Sequence, residues 1–276
     1  VAIPKGAWQQ NGGAAGQSVV TLQLPDGLST LEWGYSSGSQ STGYLYLQAI
    51  EVDGKRLVDD NVTLPNKPTI APTACSVNTA AGFSIVTYTG NLTAETAIPH
   101  GLGKKPAFII VKERNANSGW ASFNHQRGPS KISYINLMDA EYTETGSTAT
   151  WANRAPEEHV FYVGNNGASN DNNLIAYIWA EIPGLSKFGE YIGNSNTSGN
   201  NFDGPFINCG FRPYLVIYKK TTSSRQWFMN DSGRSVNNPM AATLRWNNNA
   251  AEDTSSWYTG NIEFYSNGFK IIRDTT

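Results

Sequence analysis

The chain has 276 residues, of which 39% are hydrophobic and only 15% charged, and its net charge is −2. It has neither an excess of basic residues to neutralise phosphates nor a run of 18 apolar residues, which argues against nucleic-acid binding and against a transmembrane helix. Asn occurs 28 times, more often than the 22 Asp and Glu together. A weakly charged chain rich in Gly, Asn and aromatic residues is typical of an all-β protein with many loops.

Residues 1–60 are predicted to form the C-terminal part of a β-module. Residues 19–24 and 44–52 alternate in the manner of strands, and the pair Asp53-Gly54 separates the second of them from residues 55–58. Asp-Gly between two such segments is a strong hairpin signal. Pro65, Pro68 and Pro72 then predict a linker over residues 61–81, because Pro at this density resists both helix and central strand.

The rest of the chain contains an internal repeat. Residues 88–91 (Tyr-Thr-Gly-Asn) return 103 positions later as residues 191–194 (Tyr-Ile-Gly-Asn). Residues 103–112 return 107 positions later as residues 210–219, each time with a Pro that introduces an apolar run. Further matches continue the series: Trp120 with Trp227, Leu137 with Leu244, and Asn166-Gly167 with Asn267-Gly268. We therefore predict two homologous β-sandwich (jelly-roll-like) repeats, at residues 82–184 and 185–276.

The two repeats end differently. The first ends with a strand at residues 174–180, and the second has no counterpart of it before Thr276. A sandwich without its last strand would expose an edge, so we expect the natural chain to continue past residue 276. Trp120 and Trp227 recur at the same place in both repeats and are predicted to lie in the core.

Three segments of the chain resemble virion proteins of bacteriophages. Residues 98–112 with Gly119-Trp120, and residues 175–191, are similar to a domain of tail-fibre and other virion proteins, especially of cyanophages and marine phages. Residues 49–59 are similar to a β-module that precedes this domain in such proteins. These motifs mark fold and origin rather than chemistry, and no catalytic or ligand residue is carried over from the family.

The resemblance implies a rigid, non-enzymatic component of the virion exterior, made in the host cytoplasm. As part of a tail fibre or spike it would form a homotrimer, contact other tail proteins and attach to a host surface glycan or outer-membrane receptor. A capsid-decorating protein, a carbohydrate-binding module or an adhesin remain alternatives. A glycan-degrading enzyme is a weaker one, because no pair of carboxylates stands out in the sequence.

Four aromatic residues are candidates for glycan binding, since each lies in a segment rich in Asn, Ser and Thr: Trp151, Trp246, Trp257 and Tyr258. Exposed rings of this kind stack on sugars while neighbouring amides bond to hydroxyls. The alternative, that these rings cap the core or fill a subunit interface, remains open.

Other chemistry-bearing patterns favour structural roles. Residues 34–38 (Gly-Tyr-Ser-Ser-Gly) match the nucleophile elbow of hydrolases, yet their Ser/Gly-rich flanks lack the strand and helix that the elbow requires. The single carboxylate within residues 165–173 is too few for a tight calcium loop. Three isolated His residues are not spaced as metal ligands: His100, His125 and His159. We expect no metal and no cofactor, and Cys75 and Cys209 are too few for a disulfide framework.

Overall fold

A computed structural model describes residues 68–194, 203–240, 242–254 and 262–272, together with the backbone of residues 50–52 and 55–57. The chain divides into two units, residues 1–48 and 49–276, and all described residues belong to the second. The predicted strand at residues 19–24 and the Gly-Tyr-Ser-Ser-Gly segment therefore lie outside the described residues. In the described residues, no helix has the length and apolar character needed to cross a membrane.

The predicted hairpin is confirmed. Strand β1 (Ile50–Val52) pairs antiparallel with β2 (Lys55–Leu57), and Val52 lies opposite Lys55. This register leaves the two residues Asp53 and Gly54 as the connection between the strands.

The first repeat is an all-β sandwich. Its strands are β3 (Ala74–Asn78), β4 (Phe83–Thr89), β5 (Thr96–Pro99), β6 (Phe108–Glu113), β7 (Ala121–Asn124), β8 (Lys131–Tyr134), β9 (Tyr142–Thr143), β10 (Val160–Val163) and β11 (Asn173–Trp179), with one turn of helix, α1 (Gly167–Asn170). Seven of them form an antiparallel sheet in the order β3-β4-β11-β6-β7-β8-β9, and β5 pairs with β10 in a second layer.

The core of the first repeat lies between these layers. Every second residue of β4 and β11 is buried, which is the period of a strand with one face turned inward. Tyr88 of β4 meets Phe161 of β10 edge-on, with ring centroids 6.1 Å apart, and its hydroxyl donates to the carbonyl of Ser169 at 2.6 Å. Burial raises the pKa of the Tyr88 hydroxyl, which therefore stays protonated and able to donate.

In its described residues, the second repeat has six strands in two antiparallel sheets. They are β12 (Phe206–Asn208), β13 (Leu215–Tyr218), β14 (Phe228–Asp231), β15 (Leu244–Arg245), β16 (Ile262–Tyr265) and β17 (Gly268–Ile271). One sheet has the order β13-β14-β15 and the other β12-β17-β16. Their facing side chains form a smaller core, which includes Val216, Phe264 and Ile271.

Strand pairing corrects one match of the repeat. In the first repeat Ile98 of β5 lies opposite Phe161 of β10, and in the second Ile207 of β12 lies opposite Phe269 of β17. The counterpart of β10 is therefore β17, about 108 residues later. The match of Asn166-Gly167 with Asn267-Gly268 is wrong, because it assigns β17 to the turn after β10.

The match of Leu137 with Leu244 is also wrong. Leu244 lies on β15 opposite Met229, and the same place in the first repeat is held by Ser133, opposite Ser122. The loops before these strands differ in length, so a single offset fails beyond them. Strands β6 and β7, by contrast, match β13 and β14 at the predicted offset of 107.

The predicted linker contains a strand. Within residues 61–81 the structure places β3, at the edge of the seven-stranded sheet, where Ala74 pairs with Thr87 of β4. Most of its side chains are exposed, so it lacks the apolar alternation of a buried strand. The first repeat therefore begins before residue 82. Cys75 on this strand and Cys209 after β12 form no disulfide with each other.

The prediction that Trp120 and Trp227 lie in the core is wrong as well. Both side chains are half-buried. Each Trp lies directly before a strand, β7 or β14, and on the outer face of its sheet. Trp120 stacks on Tyr177, with ring centroids 6.3 Å apart. What recurs is a backbone contact: the amide of Trp120 donates to Asn136 at 2.8 Å, and that of Trp227 to Asn247 at 2.9 Å.

Candidate functional site

The two repeats contact each other through hydrogen bonds. The backbone amide of Glu141 donates to the carbonyl of Thr221 at 2.8 Å, and that of Arg225 to the carbonyl of Met138 at 2.7 Å. The indole N–H of Trp227 donates to a carbonyl of the first repeat, that of Tyr134, at 3.0 Å. These bonds fix the loop after β8 against the segment between β13 and β14.

A cavity of about 1320 Å³, which we call the inter-repeat groove, opens beside this contact. Its walls are the outer face of the seven-stranded sheet, residues 185–193 and strand β13. Trp246, next to β15, also lines it. Both apolar and polar side chains face the groove, as is usual for a ligand site.

An ion cluster fixes one wall of the groove. Arg127 donates two hydrogen bonds to Glu141, Nε to Oε2 at 3.1 Å and Nη2 to Oε1 at 2.7 Å. Its Nη1 donates to Glu190 at 2.5 Å. These bonds, first those to Glu141, raise the pKa of Arg127 above its ordinary value. A guanidinium that donates two parallel hydrogen bonds to one carboxylate is held in a defined orientation. Arg127, oriented in this way by Glu141, therefore fixes the segment around Glu190 to the first repeat.

Aromatic stacking supports the same wall. The ring of Phe188 lies parallel to that of Phe108 at 5.5 Å, and Trp179 lies 5.8 Å from Phe108. The carbonyl of Phe188 is 3.0 Å from Nε2 of His125, and Asn124 donates to the carbonyl of Gly189 at 3.3 Å. Residues 188–190 are therefore held to the outer face of the first sheet.

Trp246 remains a candidate for glycan binding. Its side chain is 44% exposed, and its backbone amide donates to the carbonyl of Trp227 at 2.9 Å. The preceding residue, Arg245, forms an ion pair with Asp253 at 3.2 Å. An exposed indole beside fixed charged and amide groups has the parts needed to stack on a sugar and bond to its hydroxyls.

Of the other three aromatic candidates, one is buried and two lie outside the described residues. Trp151 is only 2% exposed and packs edge-on against Phe123 in the first core, with ring centroids 5.8 Å apart. A sugar cannot reach this buried ring, so Trp151 is not a glycan-binding residue. It lies in the core, which is the alternative that the sequence analysis left open. Trp257 and Tyr258 lie outside the described residues.

The His residues have structural surroundings. His100 is buried, its Nδ1 accepts from the amide of Leu102 at 3.2 Å, and its Nε2 lies 3.0 Å from the carbonyl of Glu157. Burial lowers the pKa of His100 to about 4, so the ring is neutral near pH 7. His159 is exposed. The described residues contain no group of three or more His, Cys, Asp or Glu that is placed to hold a metal ion.

The Asn-rich segment at residues 165–173 is a structural turn. Asn166 caps α1 by accepting from the amide of Ala168 at 2.9 Å. The buried amide of Asn170 donates to the carbonyls of Thr93 at 2.8 Å and Gly164 at 2.9 Å. These side-chain amides satisfy backbone groups, as buried polar groups must.

The groove has residues that the sequence did not single out. Arg127, Phe188 and Glu190 lie in unremarkable polar or mixed segments, and they meet only because the chain after β11 folds back over the sheet. The one available signal is indirect: Phe188 and Glu190 fall within residues 175–191, a segment that the sequence analysis singled out for other reasons.

Comparison with known proteins identifies a family and no function. No curated protein and no solved structure matches the chain. Residues 61–276 match the family model of a domain of unknown function, DUF7483. This match covers both repeats and the proline-rich segment before them. The chain therefore belongs to the DUF7483 family.

Proposed function

We propose that the chain is a non-enzymatic structural module of a bacteriophage virion, in a tail fibre or spike that attaches to the host surface. The observation that carries the proposal is the direct bonding between the repeats, such as the amide of Glu141 to the carbonyl of Thr221 at 2.8 Å. Backbone bonds across the contact suit a part that holds its shape under load. The resemblance of residues 98–112 and 175–191 to virion domains supports the same assignment.

The first test locates the chain. We expect mass spectrometry of purified phage particles to detect it in the tail, and light scattering to give a mass near three times 30.0 kDa for a homotrimer. Recovery of the chain only from bacterial culture medium, as a monomer, would contradict the proposal. Its detection on the capsid alone would favour a decorating protein.

Host attachment is proposed to use Trp246. Aromatic stacking contributes about 0.5–1.5 kcal/mol, so we expect Trp246→Ala to weaken binding to a host glycan up to tenfold. Phe206→Ala is the matched control, because Phe206 is 45% exposed and lies on β12, outside the lining of the groove. Equal binding by the two variants on a glycan array would exclude Trp246 as a contact.

A carbohydrate-binding module of another origin is the second candidate, and the exposure of Trp246 favours it. Glycan binding by the chain with no trace of it in any virion would select this alternative. An array without any binding would instead exclude it and leave receptor contact to another part of the fibre.

A further inference from the structure

The inter-repeat groove is basic, although the chain as a whole is slightly acidic. Six Lys and Arg side chains line it against two Glu side chains, whereas the whole chain has 20 basic and 22 acidic residues. Residues 195–202 and 255–261, which lie outside the described residues, contain no Asp, Glu, Lys or Arg and would leave this balance unchanged wherever they lie. The described lining of the groove therefore concentrates positive charge.

Carboxylates neutralise two of the six cations. Arg127 contacts both acidic residues of the lining, Glu141 and Glu190. Lys187 forms an ion pair with Glu181 at 3.2 Å. The positive charge of the groove is therefore carried by the other four cations of its lining, Lys131, Lys219, Lys220 and Arg225.

The contacts of these cations orient them without neutralising them. Nζ of Lys131 donates to the hydroxyl of Thr143 at 2.7 Å, and Nζ of Lys219 donates to the carbonyl of Met138 at 2.8 Å. Burial lowers the pKa of Lys219, and the negative charge of Asp139 offsets this only in part. A cation that is poorly solvated in this way gains from an anion placed beside it.

Aromatic rings and uncharged polar side chains lie in the same groove. Nζ of Lys219 is 6.0 Å from the centre of the Trp227 ring, and the amide of Trp246 donates to the carbonyl of Trp227 at 2.9 Å. The exposed side chains of Gln126 and Thr222 add an amide and a hydroxyl to the lining. The groove thus combines a ring that can stack on a sugar, groups that bond to hydroxyls, and cations that pair with acidic groups.

We propose that the inter-repeat groove binds an acidic polysaccharide, a sugar chain that carries carboxylate or sulfate groups. The acidic groups pair with Lys131, Lys220 and Arg225, while one sugar ring stacks on Trp246. The proposal rests on the host attachment proposed above and names the class of glycan that the chain attaches to.

Charge density favours a polysaccharide over a nucleic acid as the occupant. Duplex DNA carries one negative charge per about 1.7 Å of its axis, and proteins bind it through extended basic surfaces. Here the excess is four cations within one groove, and the chain as a whole has a net charge of −2. An acidic sugar chain separates its charges by sugar rings and offers neutral hydroxyls between them, which matches the mixed lining of this groove.

The test compares polysaccharides that differ only in charge. One pair is fluorescein-labelled oligogalacturonate and the same oligosaccharide with its carboxylates methyl-esterified. The second pair is labelled dextran sulfate and dextran, so the two pairs distinguish carboxylate from sulfate. With the full chain, we expect fluorescence anisotropy to show that an acidic member binds at least about tenfold more tightly than its neutral counterpart, and that about 0.5 M NaCl removes most of this difference by screening.

Two triple variants with the same net charge locate the contact. One removes three cations of the groove: Lys131→Gln, Lys220→Gln and Arg225→Gln. The matched control removes three exposed cations of the first repeat outside the lining of the groove: Lys104→Gln, Lys105→Gln and Arg114→Gln. We expect the groove variant to bind the acidic chain at least about tenfold more weakly and the control to bind it as the wild type does, with the same melting curve by circular dichroism for both.

Four results would overturn the proposal. They are no binding of either acidic chain at millimolar sugar concentration by a folded protein, equal affinity for the acidic and neutral members of both pairs, equal losses in the two triple variants, and tighter binding of an oligothymidylate. Equal affinity for acidic and neutral sugars that Trp246→Ala weakens would leave the glycan attachment standing without this proposal. Binding of acidic sugars by a chain that is absent from virions would support this proposal and refute the virion function.

Discussion

Acidification should destabilise the first repeat through His100. The ring is buried, and its pKa falls from 6.5 to about 4, chiefly because burial disfavours the charged form. Protonation also removes the acceptor that Nδ1 offers to the amide of Leu102 at 3.2 Å. Charging His100 therefore costs both solvation and a hydrogen bond.

The direction in which stability changes with pH follows from proton uptake by His100 in the unfolded chain. The folded-state pKa is lowered, so the full stability is present above about pH 6.5 and is lost as the pH falls toward 4, where the folded state also takes up a proton. A shift of this size corresponds to a loss of about 3 kcal/mol when complete, and about 2 kcal/mol by pH 5.

Urea denaturation between about pH 7.5 and pH 4.5 measures this loss. We expect His100→Gln to be less stable than the wild type at neutral pH but to lack most of the decline, since Gln does not titrate. His159→Gln is the control, because His159 is exposed and should keep the decline. The same slope in the wild type and in His100→Gln would refute the reasoning.

Three further variants test the packing. Tyr88→Phe removes the hydroxyl that donates to Ser169 at 2.6 Å and leaves a buried carbonyl, so urea denaturation should show a loss of about 1–3 kcal/mol, and none if the bond is absent. Gly90→Ala places a Cβ 2.2 Å from the backbone of Asn170, so it should yield little folded chain on circular dichroism; a wild-type melting curve would contradict this contact. Trp227→Phe removes the indole bond between the repeats at 3.0 Å, and we expect faster hydrogen exchange in the facing loop while the first core keeps its protection.

The sequence predicted those strands whose burial leaves a regular pattern. Residues 174–180 correspond to β11 (Asn173–Trp179), and the apolar run after Pro106 corresponds to β6 (Phe108–Glu113). Both strands have neighbours on either side, so their sequences are apolar almost throughout. The all-β sandwich follows from the same signal.

Edge strands and loops escaped prediction for a physical reason. Strand β3 has a neighbour on one side only and faces solvent, so its sequence, Ala-Cys-Ser-Val-Asn, has no clear alternation. The pairing of β12 with β17 joins segments some 60 residues apart, and no local pattern encodes such a contact.

The candidate site was predictable only in part. Trp246 and Trp151 both lie in polar segments, yet one is exposed and the other buried, because the loop after β9 folds Trp151 back onto Phe123. Neighbouring sequence cannot distinguish these outcomes. The ion cluster of Arg127 likewise depends on a contact between residues 63 positions apart.

The place of β11 in the sheet sets an order for folding during synthesis. Strand β11 joins β4 to β6, although it is the last strand of its repeat to be translated. Tyr177 lies opposite Ile85 on one side and Ile110 on the other. Neither β4 nor β6 can therefore complete its pairing before β11 has been synthesised. Contacts this distant in sequence fold slowly and leave apolar edges open in the meantime. The first repeat therefore closes only after residue 179 has left the ribosome, and we expect its nascent form to need protection by chaperones until then.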